Sequence, residues 1–323
     1  MNPKHYLDEI GEAIDLELNN ATDLISKTEL DIPYTYFLKN GGKRLRPKLT
    51  ILAASAVGIP IEKSLSNAIA IELLHNFTLI HDDIMDASEM RRGKNTIHVK
   101  WDTPTAVLLG DMIMGMAYKY LKGNEKIQTA FSKALFDVCY GQALDIKFNK
   151  DQSVSVFDYF EMISNKTSSL LVASVEIGSR IGHNDHTSIL LAKYAENLGL
   201  AFQLKDDLLD LTANSAELGK TIGQDIIEGK KTYMILRTKE LVHSTGHRKG
   251  IELINEFYLQ NGLPKESIAV ISNLMHELGV IKDTIKRIED FTNHSLENLE
   301  GIPNSDTKDC LIWLTNYLLD RNS

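Results

Sequence analysis

The sequence predicts an all-α protein, and three observations support that prediction. Apolar residues recur at spacings of three and four along most of the chain, and the alternating patterns that indicate strands are missing. None of the seven prolines lies between Thr105 and Leu263, so no missing amide hydrogen interrupts a helix there. The 323 residues are 43% hydrophobic and 24% charged, a composition typical of a globular protein with a large core.

Turn-forming residues divide this helical sequence into elements. The predicted breaks, in chain order, lie at residues 40–42, 58–60, 92–95, 103–104, 182–185 and 244–246. The stretch from Thr212 to Lys231 contains Gly219, Gly223 and Gly229 and is predicted to be a loop between helices that can close over a ligand. Length alone favours about two domains of roughly 150 residues each. Because no Pro/Gly/Ser-rich linker divides the chain, we expect a single domain over residues 1–323.

Charge and cysteine content exclude several classes of protein. The formal net charge is -9, which excludes the overall basic surface expected of a nucleic-acid-binding protein. Cys139 and Cys310 are isolated, which suits a reducing compartment and disfavours a structural zinc site. The N-terminal residues carry early acidic groups, and the longest apolar stretches, such as 51–61, are shorter than the roughly 18 to 20 residues that span a bilayer. We therefore expect a cytoplasmic protein without a membrane span.

Two acidic clusters share the pattern Asp-Asp-x-x-Asp, and both follow largely apolar sequence. On a helix, Asp82 and Asp86 lie one turn apart and point the same way, with Asp83 between them. The second cluster contains Asp206, Asp207 and Asp210, and Gln203 precedes it on the same helical stripe.

Like charges beside apolar surface cost free energy unless cations or hydrogen-bond donors offset them. One such cluster is ordinarily a solvated acidic face. Two clusters of the same spacing favour a site for magnesium, which binds through one or two carboxylates together with water and phosphate oxygens.

Basic residues are concentrated near the predicted helix ends, where they can counter the charge of a phosphate-bearing ligand. The segments that contain them are 41–47, with three cations after two glycines, 91–92, 166, 220 and 230. Taken alone, each segment could be ordinary solvated surface. Their proximity in sequence to the acidic clusters favours phosphate binding.

Two Glu-x-x-His pairs raise a different interpretation, a ferritin-like di-iron bundle. They are Glu72 with His75 and Glu240 with His243. This alternative leaves both aspartate clusters and segment 41–47 without a role, and the second pair runs into the break at Ser244. His75 is equally well explained as a hydrogen-bonded core histidine.

The order of these motifs resembles that of the trans-isoprenyl diphosphate synthase family over most of the chain. The matching motifs are GGKRLRP (41–47), HDDIMD (81–86), MRRGK (90–94), NKTSSL (165–170), FQLKDDLLD (202–210) and GKTIGQDIIEGKKT (219–232). The resemblance implies the isoprenoid synthase fold, which is one large helical bundle around a deep central cavity, usually as a homodimer.

The resemblance also implies a role for each matching residue. It implies magnesium as the cofactor, with about three ions when substrate is bound. The implied metal ligands are Asp82, Asp83, Asp86, Asp206, Asp207 and Asp210. The residues implied for the diphosphate of isopentenyl diphosphate are Lys43, Arg46, His75 and Arg92, and those for the allylic diphosphate are Arg91, Lys166, Lys220 and Lys230. The implied catalytic residues are Lys166, Thr167 and Gln203, the last two facing the reacting carbons.

Product length is expected to depend on side chains that lie on the helix before the first aspartate cluster. Phe77 is bulky, Thr78 lies beside it, and no two-residue insertion interrupts the cluster. This pattern resembles short-chain members, so we expect geranylgeranyl diphosphate as the product and farnesyl diphosphate as the second choice. The C-terminus lacks the basic cluster seen in some short-chain members.

Two further interpretations share part of this pattern. A class I terpene cyclase also ionises an allylic diphosphate with magnesium but needs no second diphosphate site, so segment 41–47 disfavours it. A non-catalytic partner subunit of a prenyl synthase usually lacks one acidic motif, whereas both are complete here.

Overall fold

The computed structural model of the protein describes residues 2–212 and 222–319. Its regular structure is almost entirely helical, as predicted. The helices of the first half are α1 (Pro3–Asn20), α2 (Asp31–Leu38), α3 (Leu45–Ser55), α4 (Ile61–Met85), α5 (Ile97–Lys100), α6 (Thr103–Tyr120), α7 (Glu125–Phe148) and α8 (Val156–Ile163). Short 3-10 helices occupy Ala21–Leu24 and Lys265–Ser267.

A π-helical turn, Ser164–Ser168, continues α8. The remaining helices are α9 (Ser169–Arg180), α10 (Asp185–Thr212), α11 (Gln224–Ile227), α12 (Tyr233–Thr245), α13 (Arg248–Gln260), α14 (Ile268–Glu277), α15 (Val280–Glu300) and α16 (Asp306–Leu319). The two strands of the described chain, β1 (Met90–Arg91) and β2 (Lys94–Asn95), form an antiparallel hairpin at a predicted break.

Local sequence explains where the helices begin. The Asp102 side chain accepts a hydrogen bond from the Thr105 backbone N–H, and Pro104 occupies the first turn of α6. Ser155 and Asp158 form a capping box at the start of α8. The predicted breaks fall between helices, at the hairpin or at a helix end. The sequence does not predict the breaks between helices at 121–124 and 149–155.

The chain forms two compact units, each assembled from separate segments. The first contains Met1–Val138, Leu170–Ala195 and Asn298–Leu314, and the second contains Cys139–Ser169, Glu196–Glu297 and Thr315–Ser323. The expectation of a single domain stays a prediction. Across residues 2–212 and 222–319, no helix is both long enough and apolar enough to cross a membrane.

Candidate active site

The first aspartate cluster lies at the end of α4, in the first compact unit. Asp83 is buried, and Arg91 on β1 binds it with Nη2 at 2.8 Å and Nε at 2.9 Å from Oδ1. Burial raises the pKa of Asp83, and the Arg91 guanidinium opposes that shift. Asp82 is half-buried, and Asp86 is exposed. The middle carboxylate is thus bound by an arginine of the protein, while the two carboxylates that flank it are accessible to solvent.

The second cluster, on α10 in the second unit, repeats this division. Asp207 is buried, and its two oxygens accept hydrogen bonds from the Tyr159 hydroxyl at 2.7 Å and from Gln203 Nε2 at 2.9 Å. Burial, together with the charge of Asp225, raises the pKa of Asp207 to about 7. Asp206 is exposed and Asp210 is half-buried.

The donor atoms of the clusters fit a hard cation that also takes ligands from its substrate. Within the described part of the chain, no three His, Cys, Asp or Glu side chains converge as a metal site. Each cluster instead offers two flanking carboxylates with access to solvent. Magnesium binds through one or two carboxylates plus water and phosphate oxygens, so this donor set suits it when a diphosphate is present.

His75 and Arg46 form the centre of the basic region in the first unit. Arg46 Nη1 lies 3.0 Å from His75 Nε2. Because a guanidinium can only donate, Nε2 must be the acceptor, which requires the neutral ring. Burial and the charge of Arg46 lower the pKa of His75 well below its ordinary value. His75 can therefore offer one N–H to a ligand but little charge.

Arg92 and segment 41–47 also come together. Arg92 Nη1 donates to the Gly41 carbonyl, and a Cβ at Gly42 would lie 3.2 Å from Nη1 of both Arg44 and Arg92. Lys43 is exposed beside them.

Arg44 was not selected from the sequence, although it anchors this segment. It is buried and binds Glu72 on α4 and Asp15 on α1, each at 2.8 Å. Glu72 therefore has an ion-pair partner, which removes it from the di-iron interpretation. Only the fold reveals this role, because Asp15 and Glu72 are distant in sequence.

The second unit contains a cavity of about 100 Å³. Its walls include five predicted site residues, which are Lys166, Thr167, Gln203, Asp207 and Lys230. Sequence reasoning missed seven others, which are Asp145, Tyr159, Met162, Ile163, Asp225, Lys231 and Thr232. Lone carboxylates and a buried tyrosine carry no motif. Only the motif at 219–232, which contains Asp225 and Lys231, could have drawn attention to those two residues.

The two cavity lysines are paired with carboxylates. Lys166 Nζ lies 2.6 Å from Asp145 Oδ2, and Lys230 Nζ lies 3.2 Å from Asp225 Oδ1. Burial disfavours the charged form of Lys230, but the charges of Asp225 and Glu228 outweigh it and raise the pKa. Both cations can exchange a carboxylate for a diphosphate. Lys220, the third predicted lysine, lies outside the described residues.

The π-helical turn carries Lys166 and Thr167 towards this cavity. Such turns are rare and are often found at functional sites. Two glycines leave room for it: a Cβ at Gly141 on α7 would lie 2.3 Å from the Lys166 nitrogen, and a Cβ at Gly199 on α10 would lie 2.4 Å from Ser168 Oγ. Close helix approach therefore sets the position of the turn.

Lys231 fixes the chain next to Lys230. Its buried Nζ donates to the carbonyls of Asn149 at 3.1 Å and Gly229 at 2.8 Å, and to Asn261 Oδ1 at 3.0 Å. A buried ammonium with three acceptors is well satisfied. Lys231 thus ties the end of segment 222–232 to the residue that follows α7 and to the turn after α13.

The two predicted chain-length residues lie on α4, before the first aspartate cluster. The Phe77 ring is 4.5 Å from the ring of His81, one turn later. Helix α6 approaches closely there, since a Cβ at Gly110 would lie 2.3 Å from His81 Nε2. Thr78 is buried, and its hydroxyl donates to the His75 carbonyl at 2.8 Å.

Comparison with known proteins identifies the family. The polyprenyl synthetase family model matches residues 27–269 of this chain. The chain belongs to that family. A geranylgeranyl pyrophosphate synthase of Geoglobus acetivorans is 36% identical over 295 residues, which cover 89% of each protein.

Solved structures agree with this assignment. The crystal structure of a geranylgeranyl pyrophosphate synthetase from Pyrococcus horikoshii is 31% identical and superposes with a TM-score of 0.87 over 98% of each chain. A polyprenyl synthase from Caulobacter crescentus, solved with calcium and isoprenyl diphosphate, is 27% identical, with a TM-score of 0.87 over 98% of this chain and 97% of its own.

These findings confirm the predicted family, the all-α isoprenoid synthase fold and the prenyltransferase activity. Members of the family use divalent metal ions and isoprenoid diphosphates. The individual site residues stay predictions.

Proposed function

We propose that this prenyltransferase condenses isopentenyl diphosphate with dimethylallyl, geranyl or farnesyl diphosphate and releases pyrophosphate. The proposed product is linear and all-trans, geranylgeranyl diphosphate first and farnesyl diphosphate second. The observation that carries the proposal is the cavity of the second unit. Its lining brings two lysines, Lys166 and Lys230, together with Thr167, Gln203 and the aspartate Asp207. The names of the Geoglobus and Pyrococcus proteins support the product.

We infer that magnesium binds at the flanking carboxylates of both clusters. The residues that would hold it directly are Asp82, Asp86, Asp206 and Asp210, and the buried Asp83 and Asp207 would assist by holding the cluster geometry. When bound, the ions stabilise negative charge on the departing diphosphate. The number of ions, about three with substrate, is part of the proposal.

The protein's own groups perform the remaining tasks. A cavity of about 100 Å³ is smaller than ordinary ligand sites of about 300–1,000 Å³. We propose that Lys166 and Lys230 leave Asp145 and Asp225 when substrate enters and bind the allylic diphosphate together with Arg91. Thr167 and Gln203 then lie beside the reacting carbons.

The second substrate is assigned to the basic region of the first unit. We propose that Lys43, Arg46 and Arg92 bind the diphosphate of isopentenyl diphosphate, and that neutral His75 adds one hydrogen bond. The carbon–oxygen bond of the allylic diphosphate breaks to give an allylic cation and pyrophosphate. The double bond of isopentenyl diphosphate attacks that cation, and the product forms by loss of a proton, with the released pyrophosphate as the proposed acceptor. We propose that closure of segment 212–231 over the site excludes water; residues 213–221, including Lys220, lie outside the described part of the chain, and the described part of the segment contains α11.

Incorporation of radiolabelled isopentenyl diphosphate tests this function. Purified protein with magnesium and each allylic primer in turn should yield a longer linear diphosphate, with geranylgeranyl diphosphate as the main species by mass spectrometry. A cyclic hydrocarbon without incorporation would indicate the terpene cyclase. The absence of any product would favour the non-catalytic partner subunit.

We also propose a homodimer, and a cytoplasmic location in keeping with the two isolated cysteines. Helices α6 and α7 are neighbours through the rings of Tyr118 and Phe131, whose centroids are 5.2 Å apart. Leu108 on α6 is 58% exposed and Phe136 on α7 is 71% exposed, and Val107 and Tyr118 on α6 are also exposed, so these helices present apolar side chains that a partner subunit would bury. Light scattering should report a dimer for the wild type and a monomer for Leu108→Glu/Phe136→Glu. A monomeric wild type would contradict the proposal.

A further inference from the structure

A chain of hydrogen bonds runs along the wall of the cavity in the second unit. Tyr159 Oη donates to Asp207 Oδ2 at 2.7 Å, and Gln203 Nε2 donates to Asp207 Oδ1 at 2.9 Å. Thr167 Oγ1 then donates to Gln203 Oε1 at 2.8 Å. Four side chains from α8, the π-helical turn and α10 are thereby joined from the core to the cavity.

Every hydrogen bond in this series points towards Asp207. The Gln203 amide presents its NH₂ group to Asp207 and its carbonyl to Thr167. The hydroxyl proton of Thr167 is committed to that carbonyl. If Asp207 rotated, Gln203 would lose the contact that determines which end of its amide faces Thr167.

Tyr159 binds the other oxygen of Asp207 from within the core. Its side chain is 1% exposed, and it packs edge-on against Phe160 with ring centroids 5.5 Å apart. The phenol hydroxyl is the donor in this contact, and Asp207 is its acceptor. A tyrosine that only filled the core would not need its hydroxyl at this carboxylate.

We propose that Tyr159 is a positioning residue for chain elongation, whose hydroxyl holds Asp207 and thereby orients Gln203 and Thr167 beside the reacting carbons. This inference rests on the proposed function. It concerns the geometry of the reacting groups and not the affinity for metal or diphosphate. Removing the hydroxyl should therefore slow turnover without weakening substrate binding.

The test compares Tyr159→Phe with a matched control, Tyr233→Phe. Tyr233 is equally buried, its ring lies 6.3 Å from that of Tyr159, and its hydroxyl donates to Asp283 at 2.6 Å. Tyr233 does not line the cavity. Tyr159→Phe loses a buried hydrogen bond to a carboxylate and Tyr233→Phe loses a partly buried one, so both melting temperatures should fall.

Only Tyr159→Phe should lower kcat, by about ten- to hundredfold, with KM for both substrates changed less than about twofold. Calorimetric affinity for magnesium with inorganic pyrophosphate should match that of the wild type. Equal kcat values in the two variants would overturn the inference, and so would a loss of pyrophosphate affinity confined to Tyr159→Phe.

A second variant tests whether the effect passes through Gln203. Tyr159→Phe/Gln203→Leu should be no slower than Gln203→Leu alone, because the same link is already broken. Fully additive losses would mean that Tyr159 acts elsewhere. A wild type that incorporates no isopentenyl diphosphate would remove the proposed function together with this inference, whereas an active wild type with an unaffected Tyr159→Phe would remove the inference alone.

Discussion

The imidazole of His75 lies 3.0 Å from the Arg46 guanidinium, and burial as well as that charge keeps it neutral. The pKa in the folded protein is thus below the unfolded value of about 6.5. Below that pH the unfolded chain gains a proton that the native ring does not accept. Stability is therefore lost as the pH falls from about 6.5 towards the lowered pKa of the folded state.

Replacing His75 should make stability less sensitive to acid. We expect the pH dependence of the unfolding free energy in His75→Gln to be shallower than in the wild type, by up to about 1.4 kcal/mol per pH unit. Urea unfolding at several values between about pH 5 and about pH 7 measures this slope. The exposed His276→Gln is the control. Parallel slopes for His75→Gln and the wild type would contradict the account of His75.

The second prediction at this scale concerns Phe77 and product length. If its ring limits the growing chain, Phe77→Ala should shift the main product from geranylgeranyl diphosphate to species longer by one or more isoprene units. The control is Phe157→Ala on α8, since Phe157 is 76% exposed. Product masses from both variants decide the matter. An unchanged product from Phe77→Ala would place the limiting wall elsewhere.

Among the elements, the π-helical turn is the one whose position depends most on close packing against another helix, at Gly141 of α7. Alanine is favoured over glycine by about 1 kcal/mol within a helix. At Gly141, however, the added Cβ would meet the Lys166 backbone nitrogen at 2.3 Å, and backbone cannot rotate away as a side chain can. Overpacking of this kind costs about 1–3 kcal/mol, so the clash outweighs the propensity.

Gly141→Ala should therefore destabilise the protein by up to about 2 kcal/mol and lower turnover at least about tenfold, because Lys166 and Thr167 move. Gly115→Ala on α6 is the matched control, since a Cβ there would meet nothing within 4 Å. That control should be slightly more stable than the wild type and equally active. Greater stability with full activity in Gly141→Ala would refute the close-packing account.

The elements differ in how far sequence could predict them. Helix breaks were predictable where glycine or proline marks them, as at 40–42 and 103–104. The hairpin of β1 and β2 is too short for an alternating pattern, and it was predicted only as a break. The π-helical turn depends on Gly141 and Gly199, which are distant in sequence, so no local pattern indicates it.

The candidate site shows the same limit. The Asp-Asp-x-x-Asp spacing predicts that the aspartates of each cluster lie close together on a helix, because residues four apart are one helical turn from each other. It did not predict that Asp83 and Asp207 are buried while the carboxylates beside them meet solvent. Asp145, Tyr159 and Asp225 reach the cavity only through tertiary packing.

On the scale of the whole molecule, the account depends on cooperation between its two acidic clusters. Asp82 belongs to the first compact unit and Asp206 to the second. The proposed function requires both clusters for the binding of one magnesium diphosphate.

A double-mutant cycle tests that requirement most directly. Calorimetry measures the affinity for inorganic pyrophosphate in saturating magnesium for the wild type, Asp82→Asn, Asp206→Asn and the double variant. A shared site predicts that each single change weakens binding by about tenfold or more and that the double variant binds little more weakly than either. Losses that simply add, or a single variant that binds as tightly as the wild type, would contradict the shared site.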